Sequence, residues 1–214
     1  MKTVIRFLLL AALAVLTACQ SSVITDLTVR SGQALYRDDF SNPASGWPQA
    51  VDVYAAQGYD QGAYIIQIET PQYDRWAVPG QEFRDVQVEV DATRTSGPDQ
   101  NRIGVICRYR DPQNFYFFII SSDQYFAIGK VSAGVRILLG QTMMAYSGEI
   151  LPGAGPNHLR FDCFGQTLTA FVNGKIIAIA TDADFDSGKI GLLAGTFDQS
   201  GLEVAFKDFV VYKP

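Results

Sequence analysis

A period-two alternation of apolar and polar residues recurs along most of this chain and constrains its fold more than any other feature. Side chains of a β-strand point alternately to its two faces, so each run of this kind predicts a strand. The predicted strands cover residues 63–69, 83–93, 102–110, 114–121, 125–131, 135–139, 158–164, 167–172, 175–181, 189–194 and 202–212. Shorter strands are expected at 35–40, 51–56 and 75–78, and no convincing helical periodicity follows residue 18.

Turn signals separate these runs at hairpin spacing. Asn173-Gly174 lies between two apolar runs and predicts a type I′ turn, whose two central residues need positive φ. About a dozen short strands joined in this way predict an all-β fold, either a two-sheet sandwich or a barrel. Because the composition does not change along residues 34–214, we expect a single domain there.

The N-terminal segment reads as an export signal. Lys2 and Arg6 precede an apolar run over residues 7–16, which is too short to cross ~30 Å of hydrocarbon as a helix. The sequence Leu16-Thr17-Ala18-Cys19 resembles the bacterial lipobox, in which the Cys is acylated and the chain is cut just before it. The interpretation is a lipoprotein signal peptide over 1–18, with lipidated Cys19 and a tether over 19–33. A plain secretory signal is the alternative.

The anchor and the charge define the expected partners. Acyl chains on Cys19 predict attachment to a membrane on its extracytoplasmic side, either the outer face of the cell membrane or the outer membrane. The chain has 17 Lys and Arg against 22 Asp and Glu, a formal net charge of −5. This balance argues against nucleic acid as a partner, because such binding depends on a basic surface.

The two remaining cysteines agree with export. Cys107 and Cys163 are an even pair in an oxidising compartment, and apolar residues at i±2 place both on core faces. We predict a disulfide between them. The alternative is two buried free thiols that act as small apolar side chains.

The order of motifs resembles the concanavalin A-like lectin/glucanase superfamily, closest to its laminin-G-like and bacterial lipoprotein members. The residues that carry the resemblance include Asp38-Asp39-Phe40, Ser45-Gly46-Trp47, the run 104–109, Phe171-Val172-Asn173-Gly174 and the run 208–212. The resemblance implies a jelly roll of two antiparallel sheets, one of them concave. It also implies a structural calcium near the paired terminal strands, with Asp39 and Asp208 as candidate ligands. Exposed carboxylates beside turns are the alternative.

The resemblance leaves the function open, because this fold carries glycan binders, glycosidases and adhesion modules. We expect a binding module for a glycan or envelope polymer, without catalysis. A structural or protein-interaction lipoprotein and a glycoside hydrolase are the alternatives. A retaining hydrolase needs a nucleophile and an acid on one face. Glu89 and Asp91 share a face, but Thr93 stands where a third carboxylate would be expected.

Sugar recognition combines flat aromatic rings with planar polar side chains. The candidates with these properties near the hairpins of residues 83–131 are Trp76, Glu89, Asp91, Arg108, Tyr116 and Tyr125. The alternative is that the aromatic residues belong to the core and the charged ones form surface pairs. The run 115–120 is apolar on both faces, which indicates either a wholly buried strand or an aromatic groove.

Two further sequence patterns bear on whether the chain binds a metal ion. The acidic run Asp182-Ala183-Asp184-Phe185-Asp186 resembles part of a calcium loop but lacks the downstream Glu, so we interpret it as an acidic turn. His158 is the only histidine, which excludes a His-rich zinc site and suggests a turn or rim position.

Overall fold

The structure, a computed structural model, describes residues 32–214 and consists of two antiparallel sheets without a helix. Strands are numbered in chain order. One sheet contains β1 (Ala34–Asp38), β2 (Ala50–Val51), β3 (Ala55–Asp60), β4 (Ala63–Ile68), β7 (Val86–Ser96), β13 (Asn157–Phe164), β14 (Thr167–Val172), β15 (Lys175–Thr181) and β17 (Leu202–Tyr212). The other contains β5 (Asp74–Ala77), β6 (Glu82–Phe83), β8 (Asn101–Asp111), β9 (Asn114–Ile120), β10 (Tyr125–Ser132), β11 (Val135–Leu138), β12 (Ala145–Tyr146) and β16 (Gly188–Thr196). The predicted all-β jelly-roll sandwich is confirmed.

The order of strands brings the two ends of the described chain together. The nine-stranded sheet runs β15-β14-β13-β7-β17-β4-β3-β2, with β1 also beside β17. The eight-stranded sheet runs β11-β10-β9-β8-β16-β5, with β12 beside β10 and β6 beside β16. Within the described residues, no helix has the length and apolarity needed to cross a membrane. The predicted signal peptide, Cys19 and nearly all of the tether lie outside these residues.

The main core fills the space between the two sheets. Alternate residues such as Val88 and Val90 of β7 and Ile103 and Val105 of β8 are buried there. The disulfide links Cys107 of β8 to Cys163 of β13, with 6.8 Å between their Cα atoms, and so joins the sheets covalently. The predicted pairing is confirmed.

A second apolar layer lies on the outer face of the eight-stranded sheet. Phe115, Phe117 and Ile119 of β9 pack there with Ile106 and Leu193. The other side chains of β9 face the main core, so this strand is buried on both faces. Of the two interpretations of residues 115–120, the wholly buried strand is therefore correct.

Two predicted strands are interrupted by aspartates. The strand predicted over 51–56 is a hairpin, because Oδ1 of Asp52 accepts hydrogen bonds from the backbone N–H groups of Tyr54 and Ala55. The strand predicted over 83–93 breaks after Phe83, and β7 starts at Val86. The first break leaves both segments, β2 and β3, in the nine-stranded sheet, whereas the second carries the chain from β6 of the eight-stranded sheet to β7 of the nine-stranded sheet.

Candidate functional site

The predicted ligand residues Glu89 and Asp91 lie on the outer face of the nine-stranded sheet, opposite the buried Val88 and Val90. Nδ1 of His158 lies 2.7 Å from Oδ1 of Asp91, and its Nε2 lies 3.6 Å from Oε2 of Glu89. This places the histidine on a sheet face, not at a turn. The two carboxylates are therefore held in a polar cross-strand cluster, on the opposite side of the molecule from β5 and β9.

Arg108 and Tyr116 are buried, so the prediction that they face a ligand is wrong. Arg108 is 1% exposed, and its guanidinium donates to the carbonyl oxygens of Arg84 and Phe185 at 3.0 and 2.9 Å and to Oδ1 of Asp85 at 3.1 Å. Tyr116 is 0% exposed and faces the main core. Arg108 therefore holds surrounding segments together.

A β-bulge explains why Arg108 was misplaced. Simple alternation from Ile103, Val105 and Cys107 would put Arg108 on the outer face. Arg108 instead has a φ of 51°, and the register between β8 and β9 shifts after Cys107. An extra residue in one strand exchanges the two faces beyond it. Arg108 therefore turns inward, and Tyr109 packs on the outer layer.

The other two predicted ligand residues, Trp76 and Tyr125, lie on the outer face of the eight-stranded sheet. Trp76 of β5 packs against the outer apolar layer and keeps part of its surface exposed. Tyr125 begins β10, two residues before the outward-facing Ala127, and its ring meets Tyr146 edge to face at 6.0 Å. The predicted ligand residues are therefore divided between the two sheets and the core. Only the outer face of the eight-stranded sheet still offers a candidate ligand site among the described residues.

Trp76, Tyr109 and Phe115 form an aromatic platform on this face. The ring centre of Phe115 lies 5.5 Å from that of Trp76 and 5.6 Å from that of Tyr109. Burial raises the pKa of the Tyr109 hydroxyl, and the negative charge of Asp111 adds to the shift. Phe115 is buried beneath its partners, whereas Trp76 and Tyr109 remain partly exposed. Such half-exposed rings suit the apolar C–H face of a sugar.

Beside the platform, Asp74, Arg102 and Arg136 form an edge-to-edge ion network. Nε of Arg102 donates to Oδ1 of Asp74 at 2.7 Å, and Arg136 donates to Oδ2 of the same carboxylate. Asp74 belongs to β5 and Arg136 to β11, which are opposite edges of the eight-stranded sheet. Their contact across the outer face shows that the sheet curls and that this face is concave.

Two glycines leave room for the long side chains on this face. Gly195 pairs with Asp74 across β16 and β5, and a Cβ at Gly195 would collide with the Asp74 carboxylate. A Cβ at Gly129 of β10 would likewise collide with the ring of Phe117. The long side chains on this face therefore lie flat against the sheet.

A pocket of about 350 Å³ continues the concave face at the loop end of β10. Its lining includes Gln100, Asp123, Tyr125, Met144, Phe197 and Asp198. Met144 packs against the outer apolar layer, and the guanidinium of Arg102 lies 4.2 Å from the ring centre of Phe197. Oδ1 of Asp123 is buried without a hydrogen-bond partner, so it is an acceptor that a hydroxyl-bearing ligand would satisfy.

Sequence reasoning missed Tyr109, Asp74, Arg102 and Arg136. The bulge at Arg108 turns Tyr109 outward, whereas simple alternation would place it toward the core. Arg136 lies in the strand predicted over 135–139, but no feature of the sequence singled it out. The partner of Arg136 is 62 residues away in the chain, and no local pattern connects the two.

The predicted calcium ligands line one depression, where hydrogen bonds from the protein already engage the neighbouring carboxylates. Asp39 and Asp208 both border a hollow of about 560 Å³. The carboxylate of Asp39 already accepts hydrogen bonds from the backbone N–H and the hydroxyl of Ser41. The neighbouring Asp38 is bonded by Phe40 and Trp47. Across residues 32–214, no group of three His, Cys, Asp or Glu side chains is arranged to hold a metal ion.

The acidic run at 182–186 already contains a cation from the protein itself. Nζ of Lys130 lies 2.5 Å from Oδ2 of Asp182 and 2.6 Å from Oδ2 of Asp184. The hydroxyl of Tyr116 donates to Oδ1 of Asp182 at 2.5 Å. This region is therefore a structural turn closed by a buried lysine, in agreement with its interpretation as an acidic turn.

Comparison with known proteins gives a consistent result for the fold. No protein-family model and no curated protein matches the sequence. Among solved structures, a carbohydrate binding module of family 66 from Bacillus subtilis aligns with a TM-score of 0.63 at 16% identity, over 78% of this chain and 96% of its own. A protein of unknown function with a galectin-like fold, also from Bacillus subtilis, aligns with a TM-score of 0.65 at 14% identity, over 86% and 97% of the two chains.

An enzyme shares the same architecture. The beta-glucanase of Bacillus licheniformis aligns with a TM-score of 0.61 at 14% identity, over 86% of this chain and all of its own (100%). At such identities the likeness establishes the fold and not the activity. The described chain therefore has the concanavalin A-like lectin/glucanase fold, a jelly roll with one concave sheet face.

Proposed function

We propose that this protein is an exported, lipid-anchored module that binds a glycan or cell-envelope polymer on the concave face of its eight-stranded sheet, without catalysis. The observation that carries the proposal is the aromatic platform, whose half-exposed Trp76 and Tyr109 rings lie on a concave face. Buried aromatic residues serve the core, but partly exposed rings beside polar groups are typical of sugar-binding sites.

The proposed export rests on the sequence before residue 34 and is supported by chemistry inside the domain. A disulfide such as Cys107–Cys163 forms and persists in oxidising compartments. Residues 1–18 supply the signal, and Cys19 supplies the acylation point. Metabolic labelling with a palmitate analogue should mark the wild-type protein, and Cys19→Ala should abolish the label. An unlabelled wild-type protein in the cytosol would refute the anchor.

Absence of catalysis is part of the proposal because the candidate carboxylates are engaged elsewhere. Asp91 is paired with His158, and Oε1 of Glu89 accepts a hydrogen bond from Gln87 at 2.6 Å. Both lie on the face opposite the platform. Release of reducing ends from any glycan that binds, lost in Glu89→Gln, would show instead that the protein is a hydrolase.

Affinity electrophoresis through gels that contain immobilised polysaccharides tests the binding proposal. We expect at least one glycan to retard the wild-type domain, and Trp76→Ala to weaken that retardation by about tenfold or more, because contacts of buried aromatic anchors dominate such interfaces. Phe164→Ala is the matched control, since this ring is 60% exposed on the other sheet. Thermal melting should show that Trp76→Ala remains folded.

A protein-interaction lipoprotein is the second candidate, favoured by apolar side chains on the outer face of the nine-stranded sheet. Phe164, Ile176 and Ile179 are exposed there, the last by 63%. Contiguous exposed apolar groups mark contact surfaces in many proteins. In-cell crosslinking to one protein, lost in Ile179→Lys, together with unchanged mobility in every glycan gel, would favour this function over the first.

A further inference from the structure

The edge-to-edge ion network contains more positive than negative charge. Two guanidinium groups, Arg102 and Arg136, share the single carboxylate of Asp74. The side chains of Arg102 and Asp74 are each only 9% exposed, and burial also lowers the pKa of the more exposed Arg136, so water compensates the excess charge only in part. An unbalanced charge in a partly desolvated site is unfavourable unless a further counter-ion completes it.

Arg136 is the group available to that counter-ion. Its side chain is 39% exposed, and the carboxylate of Asp74 is its sole hydrogen-bond partner among the described residues. The guanidinium group carries five N–H donors in a plane, so several remain free toward the concave face. Its position 5.8 Å from the ring centre of Phe117 holds it against the sheet floor.

Of the other charges near the platform, the carboxylate of Asp111 acts on the Tyr109 hydroxyl and already accepts hydrogen bonds from the backbone N–H of Gln113 and the side-chain amide of Asn114. Lys189 and Glu82 are cross-strand neighbours on the same sheet, and their opposite charges balance. The acidic groups of the loop-end pocket, Asp123 and Asp198, lie beside Phe197, on the Arg102 side of the network. A ligand anion would therefore avoid that pocket and approach Arg136.

We propose that the ligand is an anionic glycan, whose carboxylate binds Arg136 while a sugar ring of the same chain stacks on the aromatic platform. This inference rests on the proposed glycan binding and specifies its chemical class. Carboxylate and guanidinium match in shape and form paired charge-assisted hydrogen bonds. The whole chain has a net charge of −5, so general attraction would not bring a polyanion to it and the attraction has to be local.

The test uses uronate polymers and their uncharged counterparts. The probes are polygalacturonate, alginate and hyaluronan, each paired with the same polymer after its carboxyl groups are reduced to alcohols. We expect at least one anionic polymer to bind the full domain at least about tenfold more tightly than its reduced form. Arg136→Gln should remove that preference, and added salt should weaken it.

Arg160→Gln is the matched control. Arg160 also pairs with an aspartate, Asp162 at 2.6 Å, and lies 4.3 Å from the ring centre of Phe171, but on the opposite sheet. It should leave the preference unchanged. Equal binding of charged and reduced polymers, lost in Trp76→Ala, would overturn this inference and keep the proposed function. A preference for the anion that survives in Arg136→Gln would also overturn it. Failure of every uronate polymer to bind, while another glycan retards the wild-type domain, would overturn this inference alone, and retardation by no glycan at all would overturn both.

Discussion

Nζ of Lys130, on the eight-stranded sheet, lies 2.5 Å from Oδ2 of Asp182, which directly follows the edge strand β15 of the nine-stranded sheet. Both side chains are nearly buried, so this ion pair joins the two sheets at one side of the sandwich. Burial lowers the pKa of Lys130, but its bonds to Asp182 and Asp184 outweigh this effect and raise the pKa above its ordinary value.

The same pair predicts a pH dependence of stability. Burial raises the pKa of Asp182, but hydrogen bonds from Lys130 and Tyr116 outweigh it and hold the pKa below the ordinary 3.8. Its contribution to stability is therefore present above pH 3.8 and is lost as the pH falls through the lower, folded-state pKa. Urea unfolding of the wild type at a series of values between about pH 2 and pH 7 measures this change in the free energy of unfolding.

Lys130→Met should weaken that dependence. Without the ammonium group, burial still raises the pKa of Asp182 and only the hydrogen bonds from Tyr116 and the Asp184 N–H oppose it, so the loss of stability relative to the wild type should grow as the pH rises. At neutral pH we expect a loss of about 2–4 kcal/mol, because a carboxylate is left buried without its partner. Lys175→Met, at an exposed strand start, is the control. Equal losses at acid and neutral pH would contradict the ion-pair explanation.

Arg108 and Arg110 should differ sharply although they are two residues apart. Arg108 is buried and donates to two carbonyl oxygens and to Asp85. Arg108→Ala should lower the free energy of unfolding by about 2–4 kcal/mol, since those groups lose their partner. Arg110 is exposed and pairs with Asp186, so Arg110→Ala should cost less than about 1 kcal/mol. Chemical denaturation of both variants measures these losses of stability. Losses of similar size would refute the assignment of Arg108 to a buried, structural role.

The disulfide should contribute strongly to stability because it closes a loop of 56-residue separation between the sheets. Replacing Cys107 and Cys163 together by Ala should lower the free energy of unfolding by about 2–4 kcal/mol. Reduction of the wild-type protein should produce a similar shift in denaturant midpoint. Thiol titration of the unfolded wild type supplies the control, and two free thiols in the domain made in an oxidising compartment would contradict the bond.

Gly129, which lies on the concave face, should not tolerate an added methyl group. In Gly129→Ala the new Cβ would overlap the ring of Phe117 and approach the backbone oxygen of Ile137 to 2.7 Å. We expect a loss of about 1–3 kcal/mol from this overpacking. Gly80→Ala is the control, because nothing lies within 4 Å of its added Cβ and its φ is not positive. Thermal unfolding of the two variants should separate them clearly.

Local patterns were sufficient to predict most of the fold. Alternation between clear turn signals predicted the bounds of β14, β15 and β17, although bulges interrupt the pairing of β15 with β14 and of β17 with β7. Asn173 and Gly174 have φ values of 51° and 80°, as the predicted type I′ turn requires. The cysteines were placed correctly for the same reason: both lie in regular parts of their strands.

The site was predicted less well because its parts depend on irregular or distant relations. A single bulge at Arg108 exchanged the faces of β8, which moved Arg108 inward and Tyr109 outward. Tyr116 lies in a strand with apolar residues on both faces, so alternation could not choose its side. The pairing of Asp74 with Arg136 follows from the curl of the whole sheet, which no local sequence signal records.

The pairing of β1 with β17 places the start of the described chain in the sheet that does not carry the concave face. The backbone N–H of Gly32 donates to the carbonyl oxygen of Lys213 at 2.8 Å, so both ends of the described chain belong to the nine-stranded layer. The proposed anchor before β1 would therefore hold the domain by the layer that does not carry the concave face. Under the proposed function, the length of the tether can then change without disturbing the concave face.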